Sequence, residues 1–181
     1  SGTMLDNTLA AIRATNATKP VLFVTDDVPL LTAEAVTDFL QKVKDQDADV
    51  FYPIIPKSAC LRDFPAGKRT YVTFKDGIFT GGNILLVNPE VVANCKGVAE
   101  QVFAKRKYPW KLCSWLGWSF VLKFLLHRLE VKDVEARASQ LLGFRGKAII
   151  TEFAEIGMDV DKEADWHLIE TCLCSEAGGH K

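Results

Sequence analysis

No charge of one sign dominates this sequence. Over 181 residues, 22 Lys and Arg stand against 23 Asp and Glu, so no positive excess is available to neutralise a phosphate backbone, and nucleic acid is excluded as the expected partner. Long apolar runs are also missing. The richest stretch, Trp115 to Leu126 (WLGWSFVLKFLL), is shorter than the roughly 20 residues a membrane span requires and is interrupted by Lys123. The opening residues lack the basic-then-apolar pattern of a secretory signal. Cysteine is sparse. Cys60, Cys95, Cys113, Cys172 and Cys174 are an odd number scattered through apolar segments, which predicts buried, reduced thiols in a cytoplasmic protein and not a disulfide framework. Cys172-Leu-Cys174 has no second pair or nearby histidine at zinc spacing. His127, His167 and His180 stand apart from other ligands, so no nucleophile–histidine arrangement can be assembled. No glycine occurs between Gly2 and Gly67, which leaves no glycine-rich phosphate loop in the first third of the chain.

With 48% hydrophobic and 25% charged residues, the chain reads as one globular domain over 1–181. Leu5, Leu9 and Ile12 recur at helical spacing. VLFV, from Val21 to Val24, is a continuous apolar run of the kind covered on both faces in a parallel sheet. Thr32 is placed to cap a helix whose inward stripe is Ala35, Phe39 and Val43. DVFYPIIP predicts a second strand. RTYVTF and IFTGGNILLV flank Asp76-Gly77 and predict a hairpin with a tight turn at that pair. Residues 90–143 are helical in periodicity, broken near Tyr108-Pro109 and Glu130, and predict a helical insertion whose Trp110, Trp115, Trp118, Phe120, Leu122 and Phe124 pack on the sheet, with a lipid- or isoprenoid-facing surface as the alternative. KAIITEF and EADWHLIETCL add a last strand and helix. The order predicts an α/β fold with a mainly parallel mixed sheet flanked by helices.

Ligands of such sheets bind at the carboxyl ends of the strands. Asp26 and Asp27 lie at the end of VLFV, where Pro29 fixes the turn, and Asp159 and Asp161 lie beyond the last strand. Neighbouring residues of an extended chain point to opposite faces, so one of Asp26 and Asp27 faces any given ligand. Two carboxylates about 4 Å apart repel by roughly 4 kcal/mol at an effective dielectric of 20, and such a pair invites a cation. Magnesium suits one or two carboxylates with phosphate and water filling its remaining positions. The structural alternative is that these aspartates accept turn hydrogen bonds and that Asp161 caps the last helix.

VTDDVPLLT, RTYVTFKDGIFTGGNILLV and IGMDVDKEADW together resemble the molybdenum-cofactor guanylyltransferase-like nucleotidyltransferases, which have the nucleotide-diphospho-sugar transferase, or glycosyltransferase-A-like, fold. The resemblance covers nearly the whole chain. It matches Asp27-Val28-Pro29 to a metal-binding D-x-P. It also matches Asp161 to the metal position of a late D-x-P-E-D whose proline is replaced by Glu163. It implies catalytic, metal-holding roles for Asp27 and Asp161 with Mg2+ or Mn2+, and leaves Asp26 and Asp159 as neighbours useful for local charge. It places Thr80, Gly81, Gly82 and Asn83 on the acceptor side and Arg69 against an acceptor phosphate. The glycines read equally well as a β-bulge or strand kink.

The implied reaction moves a nucleotidyl group from a nucleoside triphosphate to a small phosphorylated acceptor and releases pyrophosphate. The family's opening Gly-rich loop has no match here, so the chain is expected to be an N-terminally truncated portion that is inactive alone and able to self-associate. Two other functions stay open: a nucleotide-sugar-dependent glycosyltransferase, favoured by the Asp26-Asp27 pair, and a domain that only binds a ligand or partner.

Overall fold

A computed structural model of the chain describes residues 10–12, 14–91 and 118–178. Its elements are strand β1 (Val21–Val24), helix α1 (Ala33–Val43), strand β2 (Val50–Pro56), helix α2 (Lys57–Asp63), and strands β3 (Val72–Phe74), β4 (Gly77–Gly81) and β5 (Ile84–Val87). Helices α3 (Trp118–Leu125) and α4 (Val131–Leu142), strand β6 (Gly146–Ile150), a 3-10 turn (Ala154–Gly157) and helix α5 (Glu163–Gly178) follow. Leu5, Leu9 and residues 92–117 of the expected insertion lie outside the described residues.

The sheet is mixed, but it is not mainly parallel as expected. Among the described residues only β2 and β6 pair in parallel; β1–β5, β5–β2, β2–β4 and β4–β3 are antiparallel. The reason lies in residues 77–87. Ile54 pairs with Gly81 and Phe51 with Leu86, so three steps along β2 match five along its partner, and Gly82 and Asn83 are the two extra residues. Strands β4 and β5 are therefore two halves of one strand, bulged at Gly82-Asn83, running antiparallel along β2. β1 pairs with the second half instead of with β2. Its apolar run reports burial on two faces, which an antiparallel neighbour meets as well as a parallel one. Because β1 and β2 both oppose β5, and β6 is parallel to β2, the strands β1, β2 and β6 end on the same edge.

Alternation along β2 separates the two faces. Phe51, Pro53 and Ile55 are buried, with Val50, Tyr52 and Ile54 on the other side. On the first face, Ala35, Phe39 and Val43 of α1 pack with Phe51, Ile84, Leu86, Ile149 and Ile156. The Thr32 hydroxyl accepts from the Ala35 N–H at 3.1 Å and donates to Glu155 at 2.9 Å, so the predicted cap also ties α1 to the 3-10 turn. On the second face α4 crosses the sheet. It opens on a capping box formed by Glu130 and Asp133 and ends on Gly143 at φ 74°.

The β3–β4 turn is Lys75-Asp76, not Asp76-Gly77, since Phe74 pairs with Gly77. Gly77, at φ 151°, closes it. The expected packing of Leu122 and Phe124 on the sheet does not occur: they are 58% and 45% exposed. Trp110 and Trp115 fall outside the described residues. Cys60 is a buried free thiol as expected, whereas Cys174 is exposed. Among the described residues, no helix is long and apolar enough to cross a membrane.

Candidate functional site

Two loops meet where β1 and β6 end. The Thr25 N–H donates to the Asn83 carbonyl at 3.1 Å, the Asn83 N–H to the Ile156 carbonyl at 2.8 Å, and the Val160 N–H to the Asp27 carbonyl at 3.0 Å. Val28 and Leu30 bury themselves just after Asp27, with Leu30 packing on Met158 and Ile169. Apolar anchoring and backbone hydrogen bonds thus fix residues 25–31 against residues 156–161, and the bulged Asn83 lies between them.

This arrangement brings one oxygen each of Asp27, Asp159 and Asp161 within 4.8 Å of one another. Asp27 and Asp161, predicted to converge, do so. Asp26, in the turn after β1, is exposed and outside the group. Asp159 joins the group although the sequence left it as a neighbour. Its signal was the spacing Asp159-Val160-Asp161, which puts both carboxylates on one side of an extended segment. Asp161 does not cap the last helix. Asp165 takes that place, accepting from the Lys162 N–H at 3.0 Å and the Asp161 N–H at 3.3 Å. The Asp27 Oδ1 atom is buried and has no hydrogen-bond partner.

Arg69 forms an ion pair with Asp159 Oδ1, and both side chains are mostly buried, at 16% and 17% exposed. Asn83 Nδ2 donates to the same oxygen at 3.3 Å. Burial alone would raise the Asp159 carboxyl pKa. The Arg69 hydrogen bond and charge, helped by Asn83, overcome that and hold it below the usual carboxylate range. Tyr52 lies close enough to feel both charges: burial raises its hydroxyl pKa, Arg69 opposes the rise and Asp159 adds to it. A cavity of about 400 Å³ opens beside the group, walled in part by Lys68, Arg69, Thr80, Asp159, Asp161 and Lys162. Cations and carboxylates on one wall suit a phosphate accompanied by a divalent ion.

Of the predicted acceptor-side residues, Thr80 lines this cavity and Asn83 holds Asp159. Gly81 and Gly82 are closely packed. A Cβ on Gly81 would come 2.0 Å from the Tyr52 hydroxyl, and one on Gly82 would come 2.7 Å from Ile156 Cγ2 and 2.9 Å from Pro53 Cγ. Gly82→Ala is therefore expected to cost about 1 to 2 kcal/mol by overpacking. Urea denaturation checks this, and an unchanged midpoint would mean that Ile156 yields freely.

No family model matches the chain, and no curated protein matches it. Among solved structures, a protein of Thermus thermophilus described as a hypothetical transferase superposes with a TM-score of 0.83 at 41% sequence identity, over 91% of this chain and 69% of that one. The chain belongs to the same family as this hypothetical transferase.

Proposed function

We propose that the protein is a nucleotidyltransferase, moving a nucleoside monophosphate group from a triphosphate to a phosphorylated acceptor with release of pyrophosphate. The observation that carries this reading is the meeting of Asp27 with Asp159 and Asp161, from two strand ends, around a buried carboxylate oxygen that has no partner. Arg69 balances one of the three charges through Asp159, and the excess of negative charge that remains is what a divalent ion would offset. Hard oxygen donors without histidine or cysteine suit Mg2+ or Mn2+. When bound, such an ion would supply charge neutralisation at the phosphates.

The chain's own residues supply position and charge. Arg69 and Lys68 flank the carboxylates from the β3 side and Lys162 from the α5 side, and they are the groups to hold an acceptor phosphate. An acceptor oxygen attacks the α-phosphorus in line, the bond from that phosphorus to the pyrophosphate oxygen breaks, and pyrophosphate leaves with the electron pair. The phosphate nucleophile is already ionised near neutral pH, so no general base is required of the protein.

The test has two parts. Electron paramagnetic resonance should show Mn2+ bound to the chain, and a panel of nucleoside triphosphates and nucleotide sugars, offered with phosphorylated acceptors, should show consumption of triphosphate with pyrophosphate as product. Consumption of nucleotide sugars instead would favour the glycosyltransferase reading, which loses its support from the Asp26-Asp27 pair now that Asp26 faces solvent. Mn2+ bound with no donor consumed would favour a binding module. Absence of Mn2+ binding would remove the chemical basis altogether.

A further inference from the structure

Asp159 stands in two groups at once. One of its oxygens lies within 4.8 Å of oxygens of Asp27 and Asp161, while its Oδ1 atom pairs with the Arg69 guanidinium and accepts from Asn83 Nδ2. This carboxylate therefore joins the place suited to a cation with a cation already present. The guanidinium is fixed from a second side, since Arg69 Nη2 passes over Gly157, where a Cβ would stand only 3.8 Å away. Arg69 and Asp159 both wall the cavity of about 400 Å³, beside Lys68 and Lys162. A guanidinium has five N–H donors, so one bond to Asp159 leaves others for a ligand in that cavity.

Charge makes these contacts interdependent. Asp27, Asp159 and Asp161 carry three negative charges and Arg69 returns one positive. A divalent ion entering among the carboxylates meets the Arg69 charge across a carboxylate that both must use, and like charges with one shared partner oppose each other. A phosphate in the cavity reverses the situation. Guanidinium and phosphate pair through charge-assisted, two-pronged hydrogen bonds, and Asp159 is then left to the ion.

We propose that Arg69 couples the two ligands of the site. It opposes a divalent ion at Asp159 until a phosphate monoester arrives, exchanges the carboxylate for that phosphate, and so makes cation and phosphate bind with positive cooperativity. The proposal rests on the nucleotidyl-transfer reading for which ligands meet here and on the Arg69–Asp159 pair for the coupling between them.

Such coupling is reciprocal, so it can be read from either ligand. Mn2+ titrations followed by electron paramagnetic resonance, with protein-free blanks, are expected to give a Kd about tenfold lower when methyl phosphate is present. Calorimetric titration of methyl phosphate with and without Mn2+ should return the same factor. Arg69→Gln should bind Mn2+ alone about tenfold more tightly than the parent and lose most of the coupling, a change opposite in sign to damage of the site. Asp159→Asn gives a second reading. With its counterion gone, Arg69 is free for phosphate, so methyl phosphate without Mn2+ should bind about tenfold more tightly than in the parent. The gain should exceed that of Asp27→Asn, which removes an equal charge that Arg69 does not pair with. Should urea denaturation in chelator show that Arg69→Gln is unfolded, the comparison of the two aspartate variants decides. Independent binding of Mn2+ and methyl phosphate by the parent, Mn2+ held no more tightly by folded Arg69→Gln, or equal gains in the two aspartate variants overturns the proposal and leaves the nucleotidyl-transfer reading standing. A parent that binds no Mn2+ overturns both.

Discussion

Asp27→Asn is expected to weaken Mn2+ binding about a thousandfold while leaving the metal-free protein at least as stable as the parent. The exchange preserves shape and removes one unit of charge. At about 4 Å and an effective dielectric of 20, one pair of unit charges is worth roughly 4 kcal/mol, and that energy corresponds to three decades in Kd. A divalent ion at the site would be held by three carboxylates in the parent and two in the variant. The metal-free protein has the opposite interest. Asp27 Oδ1 makes no hydrogen bond that the substitution could break, and its charge repels Asp159 and Asp161. A purely structural aspartate would show the reverse pattern, with metal binding unchanged and stability lost. Mn2+ titration followed by paramagnetic resonance, beside urea denaturation in chelator, separates the two.

That contrast also marks how far the residues alone could be read. The elements around Asp27 were legible because each is local. Four apolar residues in a row make β1, Thr32 caps α1, and the Ala35, Phe39, Val43 stripe faces the core. Partner choice was not. β1 buries two faces whatever strand lies beside it, and nothing in VLFV specifies β5 over β2. The decisive feature is the bulge at Gly82-Asn83, and there the sequence offered a strand kink and a ligand contact with equal force. Packing explains why glycine stands at both positions, because the space beside each is taken by Tyr52, Pro53 or Ile156. Leu122 and Phe124 failed in a different way. Helical periodicity identifies an apolar stripe, but not whether another element covers it, and both side chains are exposed. In the site, motif resemblance singled out Asp27 and Asp161, whose carboxylates the structure brings together. The Arg69–Asp159 pair, 90 residues apart in sequence, depends on where the loop before β3 folds back, and no local pattern encodes that.

Arg69→Leu is expected to destabilise the metal-free protein by about 2 to 3 kcal/mol at neutral pH. Removing one partner of a buried ion pair costs more than that, about 3 to 5 kcal/mol, because the other charge stays buried without compensation. The slight exposure of this pair, 16% and 17%, lowers the expectation. Leucine retains much of the side chain's apolar contact, so the loss reports charge and hydrogen bonding. Its pH dependence follows from the direction of the Asp159 shift. The folded carboxyl lies below its ordinary value, so in the parent its contribution is fully present above the unfolded value of about 3.9 and disappears as pH falls through the lower folded value. Without Arg69 the depression is lost and burial favours the protonated form. The parent and variant stability curves should therefore be well separated at pH 7 and draw together below about pH 4. Mn2+ supplies the variant with another cation beside Asp159 and should narrow the gap at neutral pH. Urea denaturation between pH 3 and 8, with and without Mn2+ over the range near neutrality, measures both effects. A pH-independent difference, or one that Mn2+ leaves untouched, would mean that Arg69 acts through packing and that Asp159 is not part of a cation site.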